Sequence, residues 1–139
     1  SIGGFFGDWY GSLLKEEKSL QDIDVVVPVP LHPKKERKRS YNQVGLFARQ
    51  IAEHLNVAYA PNLLVRVKTS RTQTKKNREM RWEDIKDAFR ANHAEHRNYR
   101  HILLVDDVIT TGATIEACTL ALRQLKEPEI SIASIAVVP

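Results

Sequence analysis

One cysteine, Cys118, stands among 139 residues. An intrachain disulfide is therefore excluded, and so is a zinc site built from several thiolates. A lone thiol fits a reducing compartment, so the cytoplasm is the expected location. Long apolar runs are missing as well. No stretch approaches the roughly 20 residues that a bilayer requires, and no secretory signal is seen, so membrane insertion is not expected. Repeats and low-complexity linkers do not occur. Neither GxxxxGK[ST] nor GxGxxG is present, which rules out a Walker loop and a Rossmann fingerprint as sources of phosphate binding. The chain opens SIGGFFGDWY, without an initiating methionine. That is the expectation for a trimmed chain with something N-terminal left out.

What is present suits a soluble globular domain. Apolar residues make up 42% and charged residues 27%, and the length is enough for one real core. The net charge of +4 hides a strong asymmetry. The stretches HPKKERKRS and RVKTSRTQTKKNREMR hold 12 of the 21 Lys and Arg residues and two of the 17 acids, a net +10 against −6 for everything else. Such concentration points to an anionic partner; the plainer alternative is a pair of solvated loops.

Strand-like and helix-like stretches alternate. IDVVVPVP (23–30) is a β-branched run that ends at prolines, a buried strand entering a loop. After the basic loop, Ser40 with Gln43 matches a capping box, and Val44, Phe47, Ala48, Ile51, Ala52 and Leu55 recur at helical spacing. NVAYAPNLLVRV offers one or two more strands, and AFRAN a short return strand. RHILLVDD is a second buried strand, followed by a helix carrying Ile115, Cys118, Leu122 and Leu125 up to Pro128, then by the strand ISIASIAVV. Leu13, Leu14 and Leu20 suggest a first short helix. The order predicts an α/β fold with a mainly parallel sheet flanked by helices. Right-handed crossovers then place both strand-to-helix loops at the carboxyl edge, where ligands bind near a topological switch point.

The most informative stretch is LLVDDVITTGAT (103–114). Thr110, Thr111, Gly112, Ala113 and Thr114 form a strand-to-helix turn. Its helix N–H groups, hydroxyls and glycine make a cradle for one phosphate. Asp106 and Asp107 would repel that phosphate unless they face another part of the same ligand. Carboxylates accept hydrogen bonds from vicinal hydroxyls and attract Mg²⁺, often through water. A sugar phosphate carrying a diphosphate has the required layout. An Asp pair and a Thr/Gly turn can also be merely structural; the whole pattern D-D-x-x-T-T-G-x-T between strand and helix favours the ligand.

HILLVDDVITTGATI (101–115) resembles the phosphoribosyl pyrophosphate (PRPP) motif of type I phosphoribosyltransferases. The resemblance implies that fold, with a flexible basic flap. It also implies that Asp106 and Asp107, the catalytic pair, contact the ribose hydroxyls, while Thr110, Thr111, Gly112, Ala113 and Thr114 bind the 5′-phosphate. VPVPLHPKKERKRSYNQVGLFARQIA and RTQTKKNREMRWEDIKDAF further resemble the ComF-type branch, and the likeness covers most of residues 23–139. Residues 1–22 are a separate segment whose role the sequence leaves open, a remnant of a hood or of the junction to the branch's four-cysteine zinc module. Two departures concern local geometry: Ser40 stands where the branch usually has Gly, and Asp84 where Asn is expected.

By the same resemblance, the loop with Leu31, His32, Lys34, Lys35, Arg37, Lys38 and Arg39 is the pyrophosphate site. Arg71, Gln73, Lys75, Lys76, Arg78 and Arg81 lie in the flap that excludes water from the reacting centre. Mg²⁺ is the implied cofactor, held through Asp106, Asp107 and the substrate. Cys118 is expected in the core, and His93, His96 and His101 at the surface without a metal set. Trp9 and Trp82 are read as packing rather than base-stacking residues. Two functions follow. One is an enzyme that binds Mg·PRPP and transfers the phosphoribosyl group to a nitrogen acceptor with release of pyrophosphate, the acceptor left open. The other is a competence-related protein that binds single-stranded DNA and keeps the PRPP site as a ligand site. Association into a homodimer is compatible with either.

Overall fold

The structure is a computed structural model, and it describes residues 22–30, 43–67, 82–109 and 112–137. Four strands form one parallel sheet: β1 (Val25–Pro28), β2 (Ala58–Tyr59), β5 (His101–Ile109) and β6 (Glu129–Val137), in the order β2-β1-β5-β6. A two-stranded antiparallel ribbon joins β3 (Leu64–Arg66) to β4 (Phe89–Ala91), with Arg66 opposite Phe89. The helices are α1 (Gln43–Leu55), the single turn α2 (Trp82–Ile85) and α3 (Ala113–Leu122), with a 3₁₀ turn at His93–Glu95. The α/β class and the parallel sheet expected from the sequence are both found.

Strand alternation builds two cores. Val26, Leu103, Val105 and Ala133 face α1, which buries Val44, Phe47, Ala48, Ile51 and Ala52 on one stripe. Val25, Val27, Ile102 and Leu104 face the other way, against Ala117, Cys118, Ala121 and Leu122 of α3 and against the ribbon. Each fully buried aliphatic side chain stabilises the fold by about 1.5–3 kcal/mol. Both faces of β1 and β5 are covered, which is why their sequences are continuous apolar runs.

The chain runs from β1 outward to β2 and from β5 outward to β6, in opposite directions along the sheet. Right-handed crossovers to opposite sides demand helices on opposite faces, and α1 and α3 lie so. The seam between β1 and β5 is therefore the topological switch point.

Local signals set the element ends. After α1, Asn56 takes a left-handed conformation (φ 61°), and Val57 N–H donates to the Ala52 carbonyl at 3.0 Å, closing the helix as a Schellman turn. Ser40 and the first short helix lie outside the described residues. Trp82 packs against the α3-side core, in keeping with its expected role.

Candidate functional site

β1 and β5 pair from Val25–Ile102 to Pro28–Val105, and Val29 N–H still donates to the Val105 carbonyl at 2.8 Å. Beyond that point β5 continues alone beside β6, pairing Asp106 with Ser134 and Ile109 with Val137. β5 therefore extends through Ile109, past the Asp pair where the sequence suggested that it stops. Among the described residues no strand pairs with the β1-side edge of Asp106 and Asp107, which lie at the switch point, at the carboxyl end of the sheet.

The two carboxylates are separated by the strand itself. Period-two alternation sends Asp106 to the face of Ile102 and Leu104, and Asp107 to the face of Leu103 and Val105. Asp106 is 6% exposed, and its Oδ1 accepts the Asp107 backbone N–H at 2.8 Å. Asp107 is half-buried, and its carbonyl accepts from Ser134 Oγ at 3.3 Å. Like charges can thus adjoin in sequence without facing each other.

Gly112 opens α3 with φ 84°, a left-handed conformation that L side chains rarely adopt. A Cβ there would meet nothing within 4 Å, so backbone conformation rather than crowding requires glycine. No side chain caps the helix from this position, and Glu116 N–H closes the first turn onto the Gly112 carbonyl at 2.9 Å. Ala113 and Thr114 supply the rest of that turn, whose outward N–H groups and dipole suit an anion. One strand–turn–helix unit thus carries the Asp pair and Gly112, Ala113 and Thr114.

Arg66 is a cation that the sequence did not single out. Its guanidinium lies over the Phe89 ring at 5.1 Å, and burial draws its pKa down. Arg66 and Asp106 both act on the Cys118 thiol, which is fully buried as expected. Burial first, then Asp106, pushes that thiol up, with Arg66 opposing.

Two histidines depart from the surface role expected of them. His101 is 1% exposed, because it is the first residue of the buried strand β5. Both ring nitrogens of His96 are buried without a hydrogen-bond partner among the described residues, beside the edge of Tyr99. Thr110 and Thr111 lie outside the described residues. So do Leu31, His32, Lys34, Lys35, Arg37, Lys38 and Arg39, and the flap residues Arg71, Gln73, Lys75, Lys76, Arg78 and Arg81. No helix among the described residues is long and apolar enough to cross a membrane.

No protein-family model matches the chain. The chain is similar to competence protein F of Haemophilus influenzae, with 34% identity over 119 residues, 85% of this chain and 52% of that protein. It is also similar to the DNA utilization protein YhgH of Salmonella typhimurium, with 32% identity over 112 residues, 80% of this chain and 48% of the relative. The chain thus spans about half the length of the curated relatives it matches. Among solved structures, an adenine phosphoribosyltransferase superposes with a TM-score of 0.65 at 18% identity, covering 95% of this chain and 67% of that one. The adenine phosphoribosyltransferase of Trypanosoma brucei, in complex with AMP, pyrophosphate and ribose-5-phosphate, gives 0.64 at 16% identity, covering 99% and 53%. At such identities the structural likeness establishes the fold.

Proposed function

The chain is a ComF-type homologue with the fold of the type I phosphoribosyltransferases, and from that premise we propose that it binds Mg·PRPP at the β1–β5 seam and transfers the phosphoribosyl group to a nitrogen acceptor. The observation that carries this reading is the single unit holding Asp106, Asp107 and the left-handed Gly112 at the switch point. Asp106 and Asp107 accept hydrogen bonds from the ribose hydroxyls. The first turn of α3 holds the 5′-phosphate through backbone N–H groups and the Thr114 hydroxyl. In the transfer, the C1′–oxygen bond to pyrophosphate breaks and a C1′–nitrogen bond forms. The acceptor's proton passes to solvent. The centre needs positioning and electrostatic stabilisation more than a covalent nucleophile.

The carboxyl end of β5 carries hard carboxylate oxygens, the donor type that Mg²⁺ takes, and substrate phosphates and water would complete its shell. When bound, Mg²⁺ neutralises charge on the departing diphosphate. The resemblance to the family assigns the cations of segments 31–39 and 71–81 to the same group.

Calorimetric titration with PRPP and Mg²⁺ tests the site, and pyrophosphate release with nucleobases, orotate and amines tests turnover. Saturable binding, lost in Asp106→Asn/Asp107→Asn, is expected. Absence of binding in the intact chain defeats the reading, and binding without release limits it to a ligand site.

A second reading rests on a different observation. Relatives are named for competence and DNA utilization, and two segments concentrate a net +10. Single-stranded DNA binding through them would weaken steeply with salt. Salt-insensitive binding, or none at low salt, removes this reading.

A further inference from the structure

The amino end of the sheet carries a second cluster, away from the Asp106–Asp107 end of the seam. His101 and Asp106 are the buried polar or charged side chains among the described residues, and they sit toward opposite ends of β5. Register places His101 opposite Glu129 and Leu103 opposite Ser131, so His101, Glu129 and Ser131 share one face. His101 Nδ1 lies 2.7 Å from Asp22 Oδ1. Its Nε2 lies 2.7 Å from Ser131 Oγ and 3.7 Å from Glu129 Oε2. The main chain is pinned as well, since the Asp24 carboxylate accepts the N–H groups of Arg100 at 2.8 Å and His101 at 3.2 Å.

A neutral imidazole has one N–H donor and one lone pair. Asp22 can only accept, so it takes the proton on Nδ1, and Nε2 faces Ser131 and Glu129. The serine hydroxyl satisfies one contact. The Glu129 carboxylate stands beyond it, 3.7 Å from the same nitrogen. Ligand atoms of Asp22, His101 and Glu129 all lie within 4.8 Å of one another. A carboxylate behind a histidine, with a second carboxylate in front, is the arrangement that orients imidazole toward a metal.

We propose that His101 Nε2 and Glu129 form a site for a divalent transition metal of the Zn²⁺ class, with Ser131 beside it and Asp22 as the orienting group. Mixed nitrogen and oxygen donors favour Zn²⁺, Co²⁺ or Ni²⁺ over Mg²⁺, which takes oxygen alone. Metal–ligand bonds of about 2.0–2.2 Å in a tetrahedral site separate the ligand atoms by about 3.3 Å. The 3.7 Å gap closes to that by a small shift of Glu129, whose side chain is 65% exposed. Water fills the remaining positions. Such an ion ties β5 to β6 and stabilises the folded state by mass action. It takes no part in chemistry at the seam.

Titration of the intact chain with ZnCl₂, without PRPP, tests the site, and Co²⁺ absorption reports the donor set. The expected result is one saturable ion per chain, at least tenfold weaker in Glu129→Gln and Asp22→Asn, and unchanged in Asp106→Asn/Asp107→Asn. Both carboxylates of the cluster are exposed, so these variants fold even if His101→Asn does not. No saturable binding overturns the proposal, as does binding that survives in Glu129→Gln or disappears in Asp106→Asn/Asp107→Asn.

Discussion

The Asp106 carboxylate on β5 acts on the Cys118 thiol of α3, adding to the burial that keeps it protonated. Burial is the larger cause, Asp106 adds to it, and Arg66 opposes it. A thiol reacts as its thiolate. Native Cys118 should therefore resist a disulfide reagent at pH 8 and react fully after unfolding. Asp106→Asn should leave it unreactive, because burial remains. Rapid labelling of the folded chain contradicts this placement.

Gly112→Ala should destabilise the chain by about 1–2 kcal/mol, the cost of a left-handed β-carbon-bearing residue. Nothing crowds the position, so the whole penalty lies in the backbone. Gly112→Asn should cost less, since Asn tolerates that region. Denaturant unfolding measures both, and equal stabilities would mean that the turn has another conformation.

Phe47→Ala should cost about 3–5 kcal/mol. Phe47 is fully buried between α1 and the sheet. Against a typical total of 5–15 kcal/mol, the loss is large. Leu120→Ala, at a side chain 46% exposed, should change the midpoint little.

Acid should weaken the fold through His96. Burial lowers its pKa from 6.5, with Lys126, His93 and Arg97 adding to the shift and Asp24 opposing it. The folded chain keeps the ring neutral where the unfolded chain protonates it. Stability is therefore unaffected well above pH 6.5, falls as pH drops below the unfolded value, and levels off below the folded one. Chemical denaturation between pH 8 and 5 measures the slope, and His96→Phe should flatten it.

The parts of the fold that the sequence disclosed are those governed by local pattern. β1 and β5 are continuous apolar runs because both faces are covered, and α1 shows its stripe directly. The Asp pair and Gly112 were legible because one short segment carries them. The full reach of β5 was not, since Val108 and Ile109 owe their strand pairing to β6, some 28 positions on. His101 was misread for the same reason: its partner Asp22 is 79 positions away. Arg66 escaped notice because only the ribbon brings Phe89 beneath it.

The seam joins distant parts of the chain, as the Asp24–His101 hydrogen bond across 77 positions shows. On the ribosome, β1 emerges on the order of ten seconds before the strand it needs. Through that interval Val25 and Val26 have only the two-residue β2 to pair with, and the edge that β5 later covers is open to other chains. A nascent chain halted before β5 has one wall of the crevice and no ligand site. Binding at the seam would thus report that synthesis has passed β5 and α3, as well as correct folding.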